Sequence, residues 1–370
     1  MSKIVFLMLH LNYGGLEQQT ASLINGLATK GYDIEVISVY DILGKSFYNL
    51  NPNVKIKYLT KGFPNKSEIK KSFKSFNVLK LFKEIAICLN CLYNKYIVLK
   101  KVIKNLDTDI IISTRVEFSN LIKRKDTLNI SCEHSFFSDK KYYVKARKSF
   151  KNIDKIVVMT NSAKSYYTKY LSNKVEVIEN MINPNSNNNL STLRNKQIIA
   201  IGRLESVKNI DTLISIFKII TKKYPEYILK IVGDGSLKNN LINQVENLNI
   251  SDKVVFTGVL SQDEVIKELL KSQIFCTTSS SESFSLVICE AMNYGVPVIS
   301  FDIDVGPREI IENNVNGFLV EYNNTSEYIN CIEKLIKDDH LRNKIALESV
   351  KAAKKYYPDE IINKWINILK

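Results

Sequence analysis

The sequence predicts an α/β protein of two doubly wound, Rossmann-like domains, and three observations carry that expectation. Short apolar runs alternate with amphipathic stretches from residue 3 to about 179, the same alternation restarts at 197, and an asparagine-rich break separates the two series. At 370 residues the chain is long for one domain and comfortable for two. Hydrophobic residues make up 45% and charged residues 24%, which excludes disordered and fibrous classes.

In the first series, "KIVFLML" (3–9) is followed by the turn-like "NYGG", an amphipathic stretch from Leu16 to Lys30, and "IEVISV" (34–39). That is strand, helix, strand at the length of a βαβ unit. Further buried strands are expected at 54–59, 109–113, 128–132, 155–160 and 174–179. The first domain is therefore placed at 1–180. Residues 181–196, with Pro184 among many asparagines and no periodicity, read as a linker. The second domain, 197–355, has strands at "QIIAIGRL" (197–204), "YILKIVGDG" (227–235), "KVVFTGV" (253–259) and "QIFCTTS" (273–279), with helices between. Residues 356–370 form an amphipathic helix that holds the single tryptophan, Trp365, and must dock its apolar face somewhere. Two such domains imply a cleft between facing sheet edges, suited to a two-part ligand or two substrates.

The formal charge of +14 is unevenly spread: Lys61 to Lys104 holds 11 lysines against Glu68 and Glu84, with apolar residues interleaved. A basic amphipathic helix of this kind suits an anionic membrane surface, and a solvated helix with a basic face fits the pattern equally. No nucleic-acid-binding motif accompanies the charge, so nucleic acid is not an expected partner. "IVFLMLHL" (4–11) lacks the flanks of a signal peptide, and no run approaches the ~20 apolar residues of a membrane span. The expectation is a cytoplasmic protein, peripheral at the inner face of the plasma membrane if the basic segment binds there. Cys88 and Cys91 form a lone C-x-x-C without a second pair at zinc spacing and read as helix side chains.

The chemistry concentrates in the second half. In "ESFSLVICEAMNYGVPVIS" (282–300) two glutamates, Glu282 and Glu290, sit in apolar surroundings. On one continuous helix they would stand about 80° and about 12 Å apart, too far for a carboxyl pair working across one bond. "TTSSSES" reads as strand end and loop, and "FSLVICEAMNYG" as a helix stopping at Gly295. Glu282 then precedes the helix start, Glu290 lies two turns along it, and the N–H groups of Phe284, Ser285 and Leu286 between them form an anion site. Carboxylates on either side would accept hydrogen bonds from hydroxyls, which describes a sugar–diphosphate–ribose ligand. In "GRLESVKN" (202–209), Gly202 allows close backbone approach, and Arg203 and Lys208 offer two cations matched to a diphosphate. Gly233 and Gly235 in "VGDGS" make a turn that could line a nucleobase pocket.

These segments in this order resemble the donor-binding half of family 4 glycosyltransferases, retaining enzymes of the GT-B fold, whose E-x7-E motif is met by Glu282 and Glu290. The resemblance covers most of residues 197–320. In the first half "NYGGLEQQT" resembles the family's glycine loop and "CEHS" (132–135) the segment with its active-site histidine. "SFDIDVGPREII" is similar to a subgroup of bacterial surface-polysaccharide transferases.

The resemblance implies that 1–180 binds the acceptor, that 197–355 binds the nucleotide sugar, and that 356–370 crosses back to the first domain. It implies Glu290 on the ribose, Arg203 and Lys208 on the leaving diphosphate, and Glu282 with the N–H groups after it on the donor sugar. His134 would approach the sugar from the other domain, and Gly14 and Gly15 would admit the backbone to the diphosphate. His10 is expected to be structural and His340 to lie on the surface.

The donor, expected to be UDP-linked, is a substrate, and no cofactor is expected. Asp302 and Asp304 form a D-x-D, but with two cations on the diphosphate no metal is required. The acceptor is expected to be a growing cell-surface glycan or a polyprenyl-diphosphate-linked oligosaccharide. Ser283 and Ser285 replace the glycines often found in the family's E-G-F-G segment. Two alternatives stand beside this reading: a nucleotide-sugar epimerase of GT-B-like fold, and a non-catalytic sugar-nucleotide or membrane-binding protein.

Overall fold

The computed structural model describes residues 2–12, 14–136, 139–172, 174–185 and 187–370, with the backbone alone at Lys66 and Lys145. The chain divides into two compact units, Met1–Ile178 with Ile362–Lys370, and Glu179–Ile361.

The first unit holds seven parallel strands: β1 (Lys3–Met8), β2 (Asp33–Asp41), β3 (Lys55–Lys61), β4 (Ile110–Ser113), β5 (Leu128–Glu133), β6 (Lys155–Val158) and β7 (Lys174–Val177). Their order across the sheet is β3-β2-β1-β4-β5-β6-β7. Ile4 to Met8 are all buried, and so are Ile110 to Ile112. Continuous apolar strands of this kind belong in parallel sheets covered on both faces. The sequence placed all seven.

The second unit holds β8 (Gln197–Ile201), β9 (Ile228–Val232), β10 (Val254–Gly258), β11 (Ile274–Thr277), β12 (Val298–Asp302) and β13 (Phe318–Glu321), in the order β10-β9-β8-β11-β12-β13, again all parallel. Its core runs from Ile198 and Leu213 through Phe217, Tyr227 and Phe301 to Tyr328 and Leu335. Neither β12 nor the four-residue edge strand β13 was among the strands expected from the sequence.

The asparagine-rich stretch read as a linker is packed onto the second unit. Met181, Ile182 and Leu193 are buried. The Asn185 side-chain amide donates to the Asn293 and Asn189 carbonyls, and Ser191 Oγ donates to the Ser272 carbonyl at 2.6 Å. Side-chain amides and hydroxyls do here what a periodic apolar face does elsewhere.

The closing helix, Pro358–Leu369, enters the first unit at Ile362. Ile362 lies directly over Gly26 of the helix Gly15–Thr29, where a Cβ would come within 2.3 Å of its Cδ1. Trp365 is buried, and Lys155 Nζ donates to the Ile368 carbonyl at 2.5 Å, placing a cation at a helix C-terminus.

Candidate functional site

In an open parallel sheet, ligands bind where the strand order reverses, beyond the carboxyl ends of the two strands flanking the reversal. In the second unit those strands are β8 and β11. Gly202, Arg203 and Lys208 follow β8, and the loop 278–285 follows β11, so the two sequence motifs meet at the reversal.

The loops are laced together. Thr278 Oγ1 donates to the Asn209 carbonyl at 2.8 Å, and Ser280 N donates to the Val207 carbonyl at 2.9 Å. Across them Lys208 Nζ donates to Glu282 Oε1 at 2.5 Å, and Ser279 Oγ donates to the same oxygen at 2.7 Å. With side chains 18% and 10% exposed, this is a largely buried ion pair, not a surface one. The sequence assigned these residues to different parts of the ligand; the fold joins them. Arg203 is exposed, with no salt-bridge partner among the described residues.

The helix after the loop is Leu286–Asn293, capped by Ser285. The Phe284, Ser285 and Leu286 N–H groups donate to no partner among the described residues. Phe284 itself is buried edge-on against Tyr356, with ring centroids 5.3 Å apart, so this residue presents its backbone and keeps its side chain inside. Ser285 has φ +76°, and its hydroxyl is buried without a partner. A glycine would take this backbone freely; serine takes it at a cost of about 1–2 kcal/mol.

Gly306, which the sequence did not single out, stands at φ +100°, and a Cβ there would approach Glu282 Cβ to 3.1 Å and the Phe284 carbonyl to 3.2 Å. It brings the loop after β12 against the Glu282 segment; the readable signal was the Gly-Pro step. Asp302, first carboxylate of the D-x-D, accepts from Arg308 Nε at 3.0 Å.

Glu290 lies on the helix Leu286–Asn293, and Glu282 in the loop before it. Glu290 lines a small pocket with Asn183, Gln262, Val265 and Tyr294, and burial pushes its carboxyl up to about 7. Gly233 and Gly235 have a reason within the fold. A Cβ on Gly233, at φ +134°, would lie 1.9 Å from the Gly202 carbonyl oxygen, and one on Gly235 would lie 2.5 Å from that of Leu204. Gly202 has no such reason, since a Cβ there meets only the Lys208 side chain at 3.5 Å.

In the first unit the order reverses between β1 and β4. Gly14 caps the helix Gly15–Thr29 after β1 and is held by Tyr48, whose hydroxyl accepts from its N–H at 3.0 Å and donates to its carbonyl at 2.8 Å. A Cβ on Gly14 would collide with Glu17 Oε2 at 2.1 Å, whereas one on Gly15 meets nothing within 4 Å. Glu17 is buried 3.6 Å from His10 Nδ1 and 3.7 Å from Arg115 Nη2.

His134 follows β5. It is half-buried, and desolvation pushes its imidazole down to about 4, so at neutral pH it is uncharged. The preceding residue was missed. Glu133 is buried and accepts from Ser131 Oγ at 2.6 Å, Tyr142 OH at 3.4 Å and Tyr167 OH at 3.5 Å. Behind Ser131 the hydroxyls of Ser119 and Ser113 continue the chain at 2.8 and 2.9 Å. Burial pushes the Glu133 carboxyl up to about 7 despite these donors. A carboxyl raised in the folded state stabilises most below its unfolded value of ~4.3, and that stability is lost as pH rises toward 7. Relative to Glu133→Gln, the wild-type chain should lose up to about 3 kcal/mol between pH 4.5 and 7.5, measured by urea unfolding across pH; a constant difference would contradict the assignment.

The fold is GT-B, and the comparisons with known proteins support a glycosyltransferase. The glycosyl transferases group 1 family model matches residues 182–352. The chain is similar to an uncharacterized glycosyltransferase of Haemophilus influenzae, 28% identical with all of both chains covered. It is also similar to the GalNAc-alpha-(1->4)-GalNAc-alpha-(1->3)-diNAcBac-PP-undecaprenol alpha-1,4-N-acetyl-D-galactosaminyltransferase of Campylobacter jejuni, 25% identical over 100% of this chain and 98% of the relative. Among solved structures, a mutant of S. aureus TarM in complex with fondaparinux, alpha-GlcNAc-glycerol and UDP superimposes with a TM-score of 0.76 at 18% identity, each chain covered in full. Neither the epimerase nor the non-catalytic alternative is favoured by these matches.

Proposed function

We propose that the chain transfers a sugar from a UDP-linked donor to a growing cell-surface glycan carried on a polyprenyl diphosphate, with retention of configuration and without a metal, at the inner face of the plasma membrane. The observation that carries this reading is the meeting, at the β8/β11 reversal, of a lysine–glutamate pair, an exposed arginine and three undonated N–H groups at a helix start. UDP in the TarM complex and the undecaprenol-linked acceptor in the name of the Campylobacter relative support donor and acceptor class.

In this reading Arg203, Lys208 and the N–H groups of Phe284, Ser285 and Leu286 hold the diphosphate, where negative charge grows as the sugar departs. Glu282 grips the donor sugar and orients Lys208. Glu290 accepts from the ribose hydroxyls, and Gly202 leaves room for the phosphates. Gly14 and Gly15 of the first unit let backbone approach the diphosphate. His134, uncharged, hydrogen-bonds the sugar. The bond from the anomeric carbon to the phosphate oxygen breaks while that to the acceptor oxygen forms on the same face. The acceptor's proton passes to the departing phosphate oxygen.

Calorimetric titration tests the donor assignment. UDP should bind more tightly than GDP, and Glu290→Gln should weaken UDP roughly 10- to 100-fold. Because hydroxyls donate to the ionised carboxylate, UDP affinity should also rise from pH 6 to pH 8 in the wild type and not in the variant. Equal UDP affinities of the two proteins at pH 8 would remove Glu290 from the site.

A further inference from the structure

Twelve of the twenty-three large hydrophobic side chains exposed among the described residues fall between Phe63 and Ile97, under a tenth of the chain. A clustered apolar surface of this kind marks an interaction site. It belongs to two helices, Lys66–Lys74 and Val78–Tyr93, packed against each other as a hairpin. Around the turn Phe73 is 70% exposed, Phe76 90%, Leu79 87% and Phe82 66%. Phe76 also has φ +52°, a backbone that strains phenylalanine and would suit glycine or asparagine. Burial and backbone both argue against an aromatic there, yet the tip carries one. Lys70, Lys71, Lys74, Lys80 and Lys83 stand exposed around it, and of the two acids Glu68 is already paired with Lys80 at 2.7 Å.

The placement adds direction. All seven strands of the first unit are parallel, so their carboxyl ends share one edge, the edge from which the loops of Gly14 and His134 emerge. Asn90 Nδ2 donates to Oγ1 of Thr60, the penultimate residue of β3, at 3.1 Å, which sets the level of the second helix at that edge. From there the chain runs back toward the start of β4, so residues 78–89 point the other way. At 1.5 Å per residue they project up to about 18 Å past the edge.

We infer that this hairpin is a membrane foot: its apolar tip, Phe73, Phe76, Leu79 and Phe82, inserts among the acyl chains of a bilayer while the surrounding lysines meet anionic headgroups. The lysines select a negatively charged lipid surface over an uncharged partner, and the tip supplies binding that salt does not screen. No described helix is long and apolar enough to cross a membrane, so the foot lies in the interface. It holds the edge with Gly14 and His134 toward the bilayer, where an acceptor on a lipid carrier would arrive. That purpose rests on the acceptor proposed above; the docking does not.

Flotation of the full chain with vesicles of phosphatidylcholine, alone or mixed with phosphatidylglycerol, tests it. The wild type should float with the anionic vesicles and retain part of its binding in high salt. Phe76→Ser with Leu79→Ser should weaken partitioning by roughly tenfold per side chain. Lys70→Gln with Lys71→Gln and Lys74→Gln should remove the salt-sensitive part alone. Donor hydrolysis and transfer to a water-soluble acceptor should be unchanged in the apolar double variant, while transfer to acceptor in vesicles falls. Absence of wild-type flotation in low salt overturns the proposal. So does a double variant that floats normally but turns a dimer into a monomer, which would make the patch an interface between copies. Vesicle binding by a chain that transfers no sugar would leave the foot standing and remove the transferase reading instead.

Discussion

Lys208→Ala is expected to lower kcat/KM for sugar transfer by about two to three orders of magnitude, the scale of losing one preorganised donor to a developing oxyanion. Lys208 is the cation best fixed at the β8/β11 reversal: its Nζ lies 2.5 Å from Glu282 Oε1, and that oxygen is held in turn by Ser279. The loss should fall on kcat, because charge accumulates on the diphosphate only as the sugar leaves. Glu282→Gln should also impair transfer, since it frees Lys208 from its partner while keeping the shape of the side chain. Removing one member of a largely buried pair leaves the other uncompensated, so each variant should also lose about 1–3 kcal/mol of stability. Steady-state kinetics beside urea unfolding separates the two effects. A Lys208→Ala enzyme within twofold of wild type would remove this lysine from the site.

The second large effect is on folding. Gly233→Ala should destabilise the second unit by about 3 kcal/mol or more, because its new Cβ would lie 1.9 Å from the Gly202 carbonyl oxygen on a backbone at φ +134°. Neither neighbour can yield easily: Gly202 N donates to the Val232 carbonyl, and Gly233 N to that of Gly258, at 3.0 and 2.9 Å. For a unit of this size the shift should be roughly 6–12 °C in Tm, read by calorimetry. Gly202→Ala is the control, since its Cβ meets only the flexible Lys208 side chain; it should melt as wild type does and bind donor less well. Equal melting of both variants would contradict the close approach.

Several strands were legible because parallel strands buried on both faces are written as near-continuous apolar runs, as in β1, β4 and β11, whereas β3 (KIKYLTK) and β7 (KVEV) alternate charged and apolar residues. β13 escaped because four residues at a sheet edge carry too little pattern. The placement of the two glutamates was legible through cap and stop signals, which put Glu282 before the helix and Glu290 on it. What the sequence hid is pairing across distance. Lys208 and Glu282 are 74 positions apart, and neither residue type announces the other. Glu133 hid in the shadow of His134, because a buried acid looks in sequence like any other acid. The basic segment showed its lysines but not its exposure: Phe76 and Leu79 could as well have been core, and only the fold leaves them outside.

The most direct test of the central claim is nucleotide release by the purified chain from a panel of UDP- and GDP-sugars, wild type beside Lys208→Ala. The expected result is UDP release from one UDP-sugar, faster with acceptor present and largely lost in the variant. No release from any sugar nucleotide, or equal release by the variant, would contradict it.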